Sequence, residues 1–235
     1  MLANPESLVE NTLLRALAKA DLELLKSKFE WADLVMGDVL YQAHKPVEYA
    51  YFPVSGIYSV IAENADGVQI ETGLIGREGF VGIPIILFVD STPSQVVVLA
   101  EGRALRISRI KLLNAIRKSP SLSTTLLRFA HTFNVQVSQT ALSNGHFTIN
   151  QRLARWLLMC QDRADSHDFL ITHKFLAIML AVRRAGITEA LSYLEGKKAI
   201  RAMRGRIIVL NRAILEDMAG GAYGVPEQEY KRLLA

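Results

Sequence analysis

Residues 171–211 read ITHKFLAIMLAVRRAGITEALSYLEGKKAIRAMRGRIIVLN. From 172 to 212 the chain places nine Lys or Arg against two Glu, a local net charge of +7 where the whole chain carries only +4. Thr172 is a helix cap, and Phe175, Leu176, Met179 and Leu180 form the buried side of a short helix ending near Leu180. Ala181-Val182 makes a turn. A second helix follows to Leu194, with Ile187, Leu191 and Leu194 at i, i+4 and i+7. That phasing leaves Arg183, Arg184, Thr188 and Glu189 on the solvent side of its N-terminal half, where a recognition helix presents side chains to base edges. Arg pairs bidentately with guanine, and Glu accepts from cytosine N4. Lys197, Lys198, Arg201, Arg204 and Arg206 surround AMRGRIIVL, with Arg204-Gly205-Arg206 as a hairpin tip and 207–210 as the returning strand, a wing. Two features depart from the pattern. Ala181 stands where many such turns have Gly, and Gly186 lies inside the second helix at roughly 1 kcal/mol relative to Ala. Gly186 offers a close approach to a nucleic-acid backbone. A solvated basic face on an ordinary helical bundle would carry the same charge without the turn and the wing.

The rest of the chain divides around Ser143. Residues 1–143 carry 13 basic and 14 acidic groups, and residues 144–235 carry 14 and 9. Such asymmetry predicts two modules, 1–143 and 144–235, of which the second meets a polyanion. No apolar run has the length of a membrane span, and MLANPESLVENTLL has neither a basic nor an apolar secretory region, so a cytoplasmic protein is expected. The one cysteine, Cys160, lies on the apolar side of a helix with Leu153, Trp156 and Leu157 and reads as a buried structural thiol. One thiol excludes an internal disulfide and an iron–sulfur cluster.

Residues 5–30 read as helical, with Leu13, Leu14, Leu17, Leu22 and Leu25 on one face. From 34 to 107, short apolar runs alternate with Gly, Pro, Asp and Asn; 57–62 and 68–74 flank Asn64-Ala65-Asp66-Gly67 as a hairpin. Many short strands at this spacing predict an antiparallel barrel or jelly roll. Ser108 is a candidate cap for a helix over 109–118, and Ser119-Pro120 starts a longer one. On it Leu122, Leu126, Phe129, Phe133, Val137 and Ala141 recur every three or four residues. This stripe fits a seam between two subunits over about 120–142, and fits equally a face packed on its own domain. Asn144-Gly145 is expected to break the helix, Thr148-Ile149-Asn150-Gln151 to cap the next as far as Arg163, and 164–169 to form a polar loop.

This order of barrel, long helix, capped helix, helix-turn-helix and wing resembles the cyclic-AMP receptor protein/FNR (Crp/Fnr) superfamily of bacterial transcription regulators. VMGDVLY, YFPVSGIYSV, ETGLIGREGFVG and EGRALRIS match its barrel strands, and LARWLLMCQDR, FLAIMLAVRRAGITEAL and RGRIIVL match its reader half. The resemblance covers nearly the whole chain. It implies an α+β fold: an N-terminal antiparallel β jelly roll of the cyclic-nucleotide-binding kind, a long dimerisation helix and a C-terminal winged helix-turn-helix domain. It also implies a homodimer on an inverted-repeat operator in double-stranded DNA, contact with RNA polymerase, and a base-reading role for Arg184. The candidate DNA contacts are Thr172, His173, Arg183, Arg184, Thr188, Glu189, Arg204 and Arg206. Ala185 and Glu189 stand where the cyclic-AMP receptor has further Glu and Arg readers, which implies a different operator.

The family's cyclic-nucleotide pocket uses a Gly-Glu pair and an Arg-Ser pair. Here Gly82 is kept, Ile83 takes the acidic position, and Thr92-Pro93 fall near the Arg-Ser position. No arginine lies between Arg77 and Arg103. A buried phosphate without a cationic partner is expensive, which argues against cyclic AMP or cyclic GMP and leaves an unknown small-molecule effector or an empty barrel. His44 is the only histidine of the barrel region, and no cluster of His, Cys, Asp and Glu suggests a metal, a cofactor or a catalytic centre. The competing reading is a small-molecule-binding barrel, or a barrel enzyme, whose basic C-terminal region does not read DNA.

Overall fold

The computed structural model describes residues 10–164 and 166–234. Two short helices, α1 (Thr12–Arg15) and α2 (Lys19–Lys26), lead into β1 (Glu30–Leu34), β2 (Val39–Tyr41), β3 (Tyr49–Pro53), β4 (Ile57–Glu63) and β5 (Gln69–Ile75). A one-turn helix α3 (Ile83–Ile86), β6 (Gln95–Ala100) and β7 (Gly102–Ser108) follow. The strands form two antiparallel sheets, in the orders β2-β6-β4-β5 and β1-β7-β3, packed face to face as a jelly roll. Asn64 builds the β4–β5 turn by accepting from the amides of Asp66 and Val68.

The continuous helix expected over 5–30 is two helices followed by a strand, and residues 5–9 lie outside the described residues. Ala18 is extended, with ψ 145°, and breaks the helix between Ala16 and Lys19. The predicted apolar face is real: Leu13, Leu14, Leu17 and Leu25 are buried. Its anchor is Asn11, wholly buried, which accepts from the Leu14 amide and donates to the carbonyls of Pro53 and Gly79 at 2.8 and 2.9 Å.

Helices α4 (Arg109–Lys118) and α5 (Pro120–His146) follow the barrel. Ser108 occupies the cap position of α4 without a capping hydrogen bond, whereas Ser119 caps α5 by accepting from the Leu122 amide. Helix α5 does not break at Asn144-Gly145. It runs through both to His146, and the chain turns at Phe147-Thr148. A helix of 27 residues absorbs one unfavourable Gly near its end, and the extended Thr148 that caps the next helix is what stops it.

The capping box is formed as the sequence predicts: Thr148 and Gln151 bond reciprocally at the head of α6 (Ile149–Arg163). Beyond it lie β8 (Asp168–Leu170), α7 (His173–Met179), α8 (Arg184–Gly196), β9 (Ile200–Met203), β10 (Arg206–Val209), α9 (Arg212–Ala219) and α10 (Val225–Leu234). The predicted loop over 164–169 thus holds a strand, β8, which pairs with the wing to give the order β8-β10-β9. No described helix is long and apolar enough to cross a membrane. Cys160 is fully buried, and burial pushes its thiol pKa up.

One apolar cluster fills the barrel and takes in Leu122, Leu126 and Phe129 of α5. A second fills the C-terminal module and takes in Ile57, Ile61, Leu74 and Leu99 from the barrel's outer face. The two modules are therefore docked on one another. Helix α10 turns back onto α5: Tyr230 donates to the Glu78 carbonyl, and Glu229 pairs with His131 at 3.0 Å.

Candidate nucleic-acid interface

Thr172 caps α7 through the Phe175 amide, and Leu176 and Met179 bury its inner face. Ala181 then adopts φ +49°, the left-handed conformation a glycine takes without penalty, so the sequence departure at this turn carries backbone strain. Ala181→Gly should raise stability by roughly 0.5–1 kcal/mol, the relief of a left-handed alanine less the entropy gained by the unfolded chain. The midpoint of urea unfolding measures it, and a lower midpoint would contradict the strain.

Helix α8 buries Ile187, Ala190, Leu191 and Leu194 and exposes Arg183, Arg184, Thr188 and Glu189. Gly186 is half-buried and faces inward: a Cβ there would lie 3.1 Å from Ile149 Cδ1 on α6. A side chain at this position would crowd α6. The wing is the hairpin β9–β10, turning at Arg204-Gly205 with Gly205 at φ +71°. The Glu195 carboxylate accepts from the Ala202 amide at 3.0 Å and fastens the wing to α8.

A groove of about 740 Å³ runs between the start of α7, the exposed side of α8 and the wing. It brings together Thr172, His173, Arg184, Thr188 and Arg204, with His173 Nδ1 3.3 Å from Thr188 Oγ1. Arg183 occupies the N-cap position of α8 without a capping hydrogen bond and Glu189 is exposed on the same helix, both outside this groove. Sequence reading missed Ser192 and Glu195, which also line it, because nothing in the helix periodicity says where the wing will lie.

Arg183, Arg184 and Arg204 have no ion pair among the described residues, and their charge is available to an external anion. Arg206 differs. Its Nε donates to both Asp168 oxygens at 2.8 and 2.9 Å, and this pairing holds the Asp168 carboxyl below the usual carboxylate range. Arg206, placed among the DNA contacts from sequence, is a cross-strand clasp between β10 and β8.

In the barrel, Gly82, Ile83 and Thr92 line a cavity of about 290 Å³ with Tyr41, Val60, Thr72, Ile75 and Val96; Pro93 is not part of its wall. Among the described residues no charged side chain lines it. Phe133 and Val137 of α5 close the cavity from the side of the long helix. His44 is exposed on a turn with φ +61°; its amide donates to the Thr92 carbonyl at 2.7 Å, but the residue does not line the cavity. Among the described residues no three His, Cys, Asp or Glu are grouped to hold a metal ion.

The expected seam on α5 needs correction. Leu122, Leu126 and Phe129 are buried in the core of their own chain, Phe133 and Val137 face the barrel, and only Ala141 is exposed. An amphipathic stripe requires an apolar cover, and here the jelly roll supplies it. The stripe left exposed lies about a quarter turn round the helix: Leu127, Asn134 and Ala141 seven residues apart, with Ser138 and Gly145 along the same line and His131 met there by Glu229 of α10.

Comparison with known proteins agrees with this architecture. The cyclic nucleotide-binding domain family matches residues 33–119, and the Crp-like helix-turn-helix domain family matches residues 151–218. A search of curated proteins by sequence gave no match. Among solved structures, FixK2 from Bradyrhizobium japonicum is similar, with TM-score 0.71 and 17% identity over 83% of this chain and 99% of that one. A Crp-family transcriptional regulator of Thermus thermophilus gives TM-score 0.68 and 17% identity over 82% and 98%. A Crp/Fnr-family regulator from Eubacterium rectale gives 0.67 and 16% over 88% and 97%. With a cyclic-nucleotide-binding barrel joined through one long helix to a Crp-like helix-turn-helix, the chain belongs to the Crp/Fnr superfamily of DNA-binding transcription regulators.

Proposed function

We propose that this regulator acts in the cytoplasm as a homodimer on an inverted-repeat operator, with Arg184 reading a guanine in each half-site. The carrying observation is the groove between α8 and the wing, where the unpaired Arg184 and Arg204 converge with Thr172, His173 and Thr188. Arg183, at the head of α8, and Arg204, at the wing tip, suit phosphates on either side. Glu189, exposed on α8, suits a cytosine amino group. Contact with RNA polymerase follows from the family reading.

The dimer axis lies along the uncovered stripe of α5. Asn134 at a seam position suits register selection, and Ser138, Ala141 and Gly145 allow close approach of two helices. The module boundary falls at Phe147-Thr148, where α5 ends and α6 is capped. The barrel does not take a cyclic nucleotide: a cyclic phosphate in this cavity would lie among Ile83, Thr92 and Ser94 with no cation to meet it. A neutral effector fits the lining, and Phe133 and Val137 would report its presence to the long helix.

The test is operator binding at several salt concentrations, on a selected duplex and on scrambled ones. Arg184→Ala should lose about 1–3 kcal/mol on the operator and relax preference at one base pair per half-site. Arg204→Ala should weaken all duplexes alike and flatten the salt dependence. An equal loss on operator and scrambled DNA for Arg184→Ala would show that this residue positions the protein and does not read sequence.

A further inference from the structure

Glu71, on β5, is buried between the two modules, with 4% of its surface exposed. Its Oε2 accepts from Ser59 Oγ on β4 at 2.6 Å, and its Oε1 accepts from Trp156 Nε1 on α6 at 2.7 Å. The first bond lies within the barrel; the second crosses to the reader. Ser59 Oγ also touches Met179 Sδ on α7, the first helix of the helix-turn-helix, at 3.5 Å. Around them lie Ile57, Ile61, Leu74 and Leu99 from the barrel and Leu153, Leu157 and Leu176 from the reader. A buried carboxyl thus sits in the apolar part of the seam that joins sensor to reader, beside the ion pair of Glu78 and Arg163.

We propose that Glu71 is a proton-sensitive latch, holding the reader against the barrel when protonated and loosening it when ionised. Desolvation raises its pKa to about 7, against the bonds from Ser59 and Trp156 and the charges of Arg155 and Arg163, which favour the carboxylate. Helix α6 supplies those two cations. Arg155 donates to Thr140 on α5, and although burial lowers its pKa to about 10 it remains charged at neutral pH. Arg163 pairs with Glu78 at 2.8 Å, and Cys160 stays a thiol. Met179 of α7, Ser59 of β4 and Gln136 of α5 bring no titratable group to the seam. The charge of Glu71 is therefore only partly met from the reader side.

The sign follows from linkage. Undocking returns the carboxyl to water, where it titrates near 4.5. Docking therefore keeps its full strength below that value, weakens as pH rises to about 7, and is level above it. The ratio of the two constants makes docking between about two and three orders of magnitude weaker across this window. This inference concerns the joint between modules and stands apart from the assignment of the DNA contacts.

Trp156 is its own reporter. In the full-length Trp31→Phe protein, its emission should change with a midpoint near pH 7. Glu71→Gln, which keeps the shape and cannot ionise, should abolish that transition and remove the decline in thermal midpoint between pH 5 and about 7. Ser59→Ala, which removes one bond to the carboxylate, should move the emission midpoint upward. If Glu71→Gln fails to fold, the Ser59→Ala shift decides. Operator affinity should vary with pH over the same window in the parent protein and not in Glu71→Gln. An emission transition that persists in Glu71→Gln, an absent transition in the parent, or an unmoved midpoint in Ser59→Ala would overturn the latch. Loss of operator binding with the emission transition intact would overturn the functional reading and leave the latch standing.

Discussion

Leu126→Asp should unfold the chain, whereas Leu127→Asp, one residue further along α5, should leave it folded and dissociate the proposed homodimer. Leu126 is wholly buried against the barrel, and a carboxylate there has no partner. The cost of an unpaired buried charge exceeds about 4 kcal/mol, which is comparable with the whole stability of many domains. Leu127 is 44% exposed in the monomer and lies on the uncovered stripe. Circular dichroism should show lost structure for Leu126→Asp alone, and sedimentation should show a folded monomer for Leu127→Asp. A Leu127→Asp protein that remains a dimer would move the seam off this face. Phe133→Asp is not a clean test of assembly, because Phe133 closes the barrel cavity and packs over Gly73.

Gly102→Ala should destabilise the barrel by about 3 kcal/mol, the upper part of the range for overpacking. A Cβ at 102 would lie 2.4 Å from the Ser55 carbonyl oxygen and 2.6 Å from the Gly56 amide nitrogen. These are backbone atoms that no rotamer change can move. Gly56, at φ +85°, faces the same crowding in reverse, 2.7 Å from the Ala100 carbonyl oxygen. The β3–β4 and β6–β7 turns therefore cross at two glycines. Gly196→Ala is the control, since nothing lies within 4 Å of its would-be Cβ and the position ends a helix. Urea unfolding should separate the two variants, and equal midpoints would mean that the crossing turns yield easily.

The reader module was legible because its signals are local. Thr172 and Thr148 bond to amides three residues away, and Ile187, Leu191 and Leu194 share a face by helical pitch alone. The Asn64 turn, the Ser119-Pro120 start and the buried Cys160 are short-range features of the same kind. The lack of a cation along the barrel cavity, among the described residues, was equally plain, since a residue type absent from a segment stays absent after folding.

Tertiary structure decided whatever depends on the partner of a face. Periodicity marks Leu122, Leu126 and Phe129 as apolar, but only the folded barrel shows that their cover is the same chain. Gly145 looked like a helix end because propensity is a weak local term, outweighed by the long helix that contains it. Arg206 counted as a free cation until β8, 38 residues away in sequence, placed Asp168 beside it. Glu71 and Trp156, 85 residues apart, meet only where the barrel's outer face and the reader pack together. The sequence by itself determined the barrel strands, the helix-turn-helix and its caps, because pitch, capping and residue type act within a few positions. Folding alone decided which side of α5 its own barrel covers, the clasp at Arg206 and the buried acid between the modules, because contacts between distant segments depend on how apolar faces are shared, which no short window of sequence records.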